Sequence, residues 1–213
     1  MLMGETPKPS TILGTKGVSM RYLSVFETDK EVLKALSDIH LRGKWYDLDC
    51  TYSKGVFWEN AERPKFVSDL NPQFDYCLQD DSTQLKNFSD SSLDSIVFDP
   101  PFLFRDRVAV NNDKMCARFT YFKSFAELID MYRSSLECFY NKLKPKGYVF
   151  FKCQDMTDGK FYATHCEVIN MARAIGFEVK DIAIKVSKSK LQRDAKQQNC
   201  VAKVHSYWVV LKK

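Results

Sequence analysis

Asp94-Ser-Ile-Val-Phe-Asp99-Pro-Pro-Phe102 is the stretch on which the fold turns. Ser95-Ile-Val-Phe98 reads as a buried parallel strand, because a short apolar run suits a strand covered on both faces. Pro100 and Pro101 cannot donate to a sheet ladder, so the strand ends there in a rigid loop at its carboxyl edge. In open α/β sheets that edge is where ligands bind. The loop offers a carboxylate (Asp99), a prolyl carbonyl (Pro100) and an aromatic ring (Phe102), with Pro101 stiffening them. These groups suit an exocyclic amine, whose lone pair is delocalised into its ring. Asp99 and the Pro100 carbonyl can accept its two N–H bonds while Phe102 stacks on the base, so positioning and electrostatics share the work. Asp99, Pro100, Pro101 and Phe102 are therefore the candidate catalytic residues.

Asp99-Pro-Pro-Phe102 resembles the Asp/Asn-Pro-Pro-aromatic motif of the S-adenosylmethionine-dependent amino-methyltransferases, and other stretches match in the same order. Asp49-Cys-Thr51-Tyr-Ser53-Lys-Gly55 is similar to that family's first cofactor loop at Asp49 and Gly55, with Cys50 in place of proline and Ser53 where the first glycine would stand. Asp69 follows twenty positions after Asp49, where a Rossmann-like sheet presents a carboxylate to ribose hydroxyls. Asp81-Ser-Thr-Gln-Leu85 matches the family's Asp-x-x-x-Leu, and Leu143-Lys-Pro-Lys-Gly147 its turn into the fifth strand. Ser24-Val-Phe26-Glu-Thr28 precedes the first core helix, where relatives often touch the methionine moiety.

The resemblance covers about residues 24–213, behind an irregular arm at 1–23. It implies an α/β, Rossmann-like class I methyltransferase fold: a mostly parallel seven-stranded sheet, an antiparallel last strand and helices on both faces. It implies S-adenosyl-L-methionine as cofactor, held by Phe26, Thr28, Asp49, Thr51, Gly55, Asp69, Asp81 and Asp99, with no metal. The implied reaction is methyl transfer to an exocyclic amino nitrogen of a nucleobase, adenine N6 in DNA first. RNA adenine N6 or guanine N2 is the alternative, and a target base inside a duplex would be flipped out. Two further rivals are methylation of a protein side-chain amide and a degenerate methyltransferase that only binds nucleic acid.

Composition narrows the setting. A chain of 213 residues, 45% hydrophobic and 14% aromatic, can bury a sizeable single-domain core. No apolar run approaches membrane-spanning length, and Met1-Leu-Met-Gly-Glu-Thr-Pro-Lys lacks a secretory pattern. Seven cysteines without a Cys-x-x-Cys pair argue against a disulfide framework or zinc site, and read as reduced thiols in the cytoplasm. The net charge is +5, with nine Lys/Arg against two Asp between Lys180 and Lys213, so the rest of the chain is slightly acidic. Basic character gathered at one end is what a phosphate-contacting surface needs.

Arg105 and Arg107 lie among aromatics after the Pro-Pro loop, and Lys188, Lys190 and Arg193 lie in a polar connection before the last strand. With Lys152, Gln154 and His205 they are the candidate substrate contacts, Lys152 to phosphate and Gln154 to a base edge. No insertion is long enough for a separate recognition domain, so these loops, a specificity partner or a homodimer would supply it. His40 and His165 have no sequence partners that point to a metal site or a nucleophile triad. Helices are expected from Asp29 to about Leu41, Ser124 to about Leu143 and Tyr162 to Ile175, the last stopped at Gly176.

Overall fold

The computed structural model describes residues 21–104, 122–187 and 200–213. Arg105, Arg107, Lys188, Lys190 and Arg193, and all but the last three residues of the expected arm, lie outside them. In chain order the elements are β1 (Val25–Phe26), α1 (Asp29–His40), β2 (Leu48–Asp49), a 3-10 turn (Val56–Trp58), β3 (Phe66–Asp69), β4 (Leu78–Gln79) and β5 (Leu93–Phe98). There follow α2 (Phe125–Lys142), β6 (Leu143–Cys153), a hairpin of β7 (Met156–Asp158) and β8 (Lys160–Tyr162), α3 (Thr164–Ile175), β9 (Glu178–Val186) and β10 (His205–Lys212).

The main sheet runs β1-β9-β10-β6-β5-β2-β3-β4. Its pairings are parallel except those of β10, which is antiparallel to both β6 and β9. The seven expected strands are all there, and the two-residue β1 adds an eighth at the edge beside β9. The β7–β8 hairpin is a second departure: Gly159, at φ +69, turns a segment too short to show a period-2 pattern.

Period-2 side chains sort the core into two layers. Ile96 and Phe98 of β5, Val149 and Phe151 of β6, and Val209 and Leu211 of β10 pack with Leu128, Tyr132, Leu136 and Phe139 of α2 and Val168 and Met171 of α3. The intervening Val97, Phe150, Trp208 and Val210 face the other way, onto Val32, Leu33 and Leu36 of α1. Helices therefore cover both faces, which is why the central strands are apolar throughout. Each helix begins or ends where local chemistry dictates. Thr28 caps α1 in a reciprocal box with Glu31, Ser124 caps α2, and Gly176 ends α3 at φ +117. Winding runs outward from β2 through β3 to β4, then reverses from β5 to β6. The crevice between the ends of β2 and β5 is thus the topological switch point, where such sheets bind ligands.

Candidate active site

A cleft of about 530 Å³ opens along the carboxyl ends of β2, β3, β4 and β5. Thr51 and Ser53 line it from the loop after β2, Asp69 from the end of β3, Asp81 from the loop after β4, and Asp99, Pro100 and Pro101 from the loop after β5.

Asp49 does not line the cleft. It is 2% exposed, its Oδ2 accepts the Trp58 indole N–H at 2.7 Å, and its Oδ1 accepts the Thr51 N–H at 3.0 Å. Burial pushes its carboxyl up to about 7 against those hydrogen bonds, with the Asp99 charge adding to the rise. Its work is to shape the loop that carries Thr51, whose hydroxyl accepts the Asp99 N–H at 2.7 Å and ties the two loops together. Because the folded state holds the Asp49 proton more tightly than the unfolded chain, this group costs stability as pH rises from about 4 through 7. Asp49→Asn removes that term. The stability of the variant relative to the parent should rise between pH 5 and 8 by on the order of 3 kcal/mol in urea unfolding. A difference that does not vary with pH would remove Asp49 from this role.

Gly55 also stands behind the cleft: at φ +68 it starts the 3-10 turn, and a Cβ there would lie 2.5 Å from the Tyr52 ring. Ser53, in place of the family's glycine, adopts φ 47, a strain of about 1 kcal/mol for a side chain. Its N–H donates to Asp69 Oδ2 at 2.8 Å, while Asp69 Oδ1 accepts the Asn71 N–H at 2.8 Å. Each of these carboxylate oxygens has a second lone pair, and Asp69 lines the cleft. Asp81 Oδ1 accepts the Thr83 N–H and hydroxyl, both at 2.8 Å. The neighbouring Asp80 is buried under Lys86 and Asn87 backbone N–H groups and is structural.

Phe26 and Thr28, expected at the cofactor, do not line the cleft. Phe26 packs against the α1-side core on the β1 edge, and the Thr28 hydroxyl is spent on the helix cap. Two-residue β1 pairs with β9 at the edge of the sheet, and the residue after Thr28, Asp29, is the one that reaches Lys152.

The Asp99-Pro-Pro-Phe102 loop is locked from below. Tyr132 of α2, fully buried, donates its hydroxyl to the Pro101 carbonyl at 2.8 Å. Tyr132→Phe orphans that carbonyl and should cost about 1 kcal/mol, read as a fall of roughly 2–4 °C in Tm. An unchanged Tm would mean the bond contributes nothing. No hydrogen bond to the Pro100 carbonyl is seen among the described residues.

Lys152 corrects the sequence reading most. It is 7% exposed at the end of β6, so it is not a surface contact for phosphate. Its Nζ sits 3.0 Å from Asp29 Oδ1 and 3.4 Å from Asp99 Oδ2, over the rings of Phe57, Trp208 and Phe102 at 4.5, 5.5 and 5.8 Å. The Trp208 indole N–H donates to the same Asp29 oxygen at 2.9 Å, and Lys185 lies 4.0 Å from the other. Burial raises the Asp99 carboxyl to about 6, with Lys152 opposing that rise and Asp29 adding to it. Asp29, Phe57, Trp58, Tyr132 and Trp208 were not legible as members of this site. Asp29 reads as a helix-start acid and the aromatics as core, and four separate elements must assemble before they meet.

Gln154 donates weakly to the Lys203 carbonyl at 3.4 Å, and His205 shares a 3.0 Å hydrogen bond with the Tyr207 hydroxyl. Neither lines the cleft. The expectation that His165 lacks partners is also corrected: it is bonded to Asp155 and Cys166.

No family profile matches the chain, and no curated protein matches its sequence. Solved structures do resemble it. TrmN from Thermus thermophilus has a TM-score of 0.50 at 16% identity, over 86% of this chain and 48% of that one. A SAM dependent methyltransferase from Archaeoglobus fulgidus has a TM-score of 0.48 at 17% identity, over 86% and 94%. A protein provisionally named a DNA modification methylase, also from Thermus thermophilus and complexed with S-adenosyl-L-methionine, has a TM-score of 0.44 at 12% identity, over 79% and 55%. The fold is that of the class I methyltransferases. At these identities the likeness concerns architecture, and the chain spans about half the length of that last protein. Among the described residues, no helix of this methyltransferase fold is long and apolar enough to cross a membrane.

Proposed function

We propose that this chain transfers a methyl group from S-adenosyl-L-methionine to an exocyclic amino nitrogen of a nucleobase, adenine N6 in DNA being the first choice. The observation that supports this most is the convergence of Asp69, Asp81 and Asp99-Pro100-Pro101 on one cleft at the switch point of the sheet. The donor set fits the cofactor. A cleft of about 530 Å³ is of ligand size, and Asp69 offers lone pairs suited to ribose hydroxyls. Asp81 Oδ2, which has no partner among the described residues, suits the adenine amino group. Thr51 and Ser53 line the floor, with Asp49 and Gly55 shaping their loop from behind. When bound, the cofactor supplies an electrophilic methyl group on a sulfonium.

The chain's own residues do the rest. Asp99 Oδ2 is tied to Lys152, which leaves Oδ1 to accept one N–H of the target amine while the Pro100 carbonyl accepts the other. Two acceptors hold the nitrogen near tetrahedral geometry and localise its lone pair. Phe102, partly exposed, is the stacking face, and its neighbour Lys152 fixes the side from which the base enters. Once the nitrogen is methylated, its surplus proton can pass to Asp99, whose carboxyl sits near 6. Arg105, Arg107, Lys188, Lys190 and Arg193 are proposed to meet the nucleic-acid backbone.

The test is incubation with methyl-labelled S-adenosyl-L-methionine and separate pools of DNA, RNA and protein, followed by nucleoside mass spectrometry. Label in N6-methyladenine from DNA is the expected result. Label in RNA adenine or guanine moves the substrate class but keeps the chemistry. Label in protein overturns the nucleobase reading. Absence of cofactor binding by calorimetry would leave a degenerate fold.

A further inference from the structure

Methyl transfer makes no use of a second constellation at the same sheet edge. Cys166, in the first turn of α3 and exposed to solvent, places its Sγ 3.3 Å from His165 Nε2. The opposite ring nitrogen, Nδ1, lies 2.8 and 2.9 Å from the two carboxylate oxygens of Asp155, which is 4% exposed. Asp155 also accepts the His165 backbone N–H at 3.2 Å. The imidazole lies flat on Tyr207, with centroids 4.3 Å apart and planes 22° apart, and the Tyr207 hydroxyl is in turn bonded to His205. Nucleophile, base and orienting acid are thus within hydrogen-bond reach in the order that covalent catalysis requires, and the ring is fixed by stacking. The orienting acid settles the tautomer: Nδ1–H donates to Asp155, so Nε2 carries the lone pair that faces the thiol.

We propose that Cys166 is a covalent modification site, a nucleophilic thiol served by His165 and Asp155 that exchanges with low-molecular-weight disulfides. The thiol proton passes to His165 Nε2 as Sγ attacks one sulfur of the disulfide. A new Sγ–S bond forms, the original S–S bond breaks, and the departing thiolate takes the proton back from the imidazolium. The products are a mixed disulfide on Cys166 and one free small thiol, so no other oxidant is needed. Accessibility favours this position. Among the described cysteines, Cys50, Cys77, Cys138 and Cys153 are buried, and only Cys200 shares the exposure of Cys166. Burial pushes the Cys50, Cys77, Cys138 and Cys153 thiols up, which makes them inert at neutral pH.

The full chain carrying Cys116→Ser and Cys200→Ser isolates the site. Its reaction with 5,5′-dithiobis(2-nitrobenzoate) at neutral pH should exceed that of free glutathione about 10-fold, with the adduct mapped to Cys166 by peptide mass spectrometry. Oxidised glutathione should give a mixed disulfide at the same residue. His165→Gln should bring the rate down to that of free glutathione. A parent rate equal to free glutathione overturns the proposal without reference to any variant. So does an adduct at another cysteine, or a folded His165→Gln protein, checked by circular dichroism, that reacts as fast as the parent.

Discussion

Asp99→Ala is expected to abolish methyl transfer while leaving affinity for S-adenosyl-L-methionine within a few-fold of the parent. Loss of one positioned acceptor in a sheltered site costs about 100–1000-fold in turnover. In the proposed mechanism the same residue also takes the amine proton, so the loss should reach the upper end of that range. Cofactor affinity should survive, because the proposed ribose and adenine contacts, Asp69 and Asp81, follow strands two and three places away from β5. Single-turnover transfer from labelled cofactor gives the first quantity and calorimetry the second. Full activity in the variant would end the catalytic assignment. The pH profile provides an independent check. The acceptor form of Asp99 is the carboxylate, and burial holds its carboxyl near 6. Transfer should therefore be fully present well above pH 6 and fall as pH drops through it. Asp99→Asn, which has no proton to take up, should lack that limb.

Lys152→Met is expected to cause the second large effect, on stability and on pH dependence together. The ammonium is nearly inaccessible, and its charge is matched by two carboxylates, Asp29 and Asp99, whose side chains are only 15% and 24% exposed. Removing the cation leaves both acids facing three aromatic rings without a counter-charge close by, apart from Lys185 at 4.0 Å from Asp29. Breaking a buried pair from one side costs about 3–5 kcal/mol, and partial exposure of the acids favours the lower figure. About 3 kcal/mol corresponds to a fall of roughly 6–12 °C in Tm for a chain of this size.

The same substitution should move the acidic limb of the rate profile to higher pH, since Lys152 is the largest influence opposing the burial of Asp99. The other groups facing Asp99 are Asp29 on α1, Asp49 on β2, Tyr132 on α2 and Lys185 on β9, and these remain unchanged. Lys152→Arg keeps the charge and should recover the profile before it recovers the Tm, because a guanidinium fits the aromatic box poorly. A Lys152→Met protein with the parent's Tm and the parent's profile would show that the ion pairs carry neither stability nor catalysis.

The second prediction hinges on a residue whose role changed between sequence and structure. In the sequence, Lys152 is one of 32 basic residues, at the end of a strand, and a phosphate contact is the natural reading. Only when β10 inserts antiparallel between β6 and β9 does Trp208 come alongside Lys152, in register with it. Only when α1 crosses the same edge does Asp29 arrive. These partners are far from Lys152 along the chain, and no local pattern encodes such separations. Asp49 illustrates the converse. Its position at the end of β2 is readable from spacing, yet its side chain turns inward because Trp58, nine residues on, offers a buried indole N–H.

The chain by itself determined the order and kind of its elements. Short continuous apolar runs, helix caps at Thr28 and Ser124, and the stops at Pro100 and Gly176 are local free-energy preferences, each set within a few residues. Strand order places Asp69, Asp81 and Asp99 at one edge for the same reason, since each acid closely follows a parallel strand or ends it. Tertiary structure alone decided which charges are buried, which acids face the cleft and which side chains meet across the sheet. Desolvation and ion pairing depend on every neighbour within several ångströms, and those neighbours come from segments that the linear order keeps far apart.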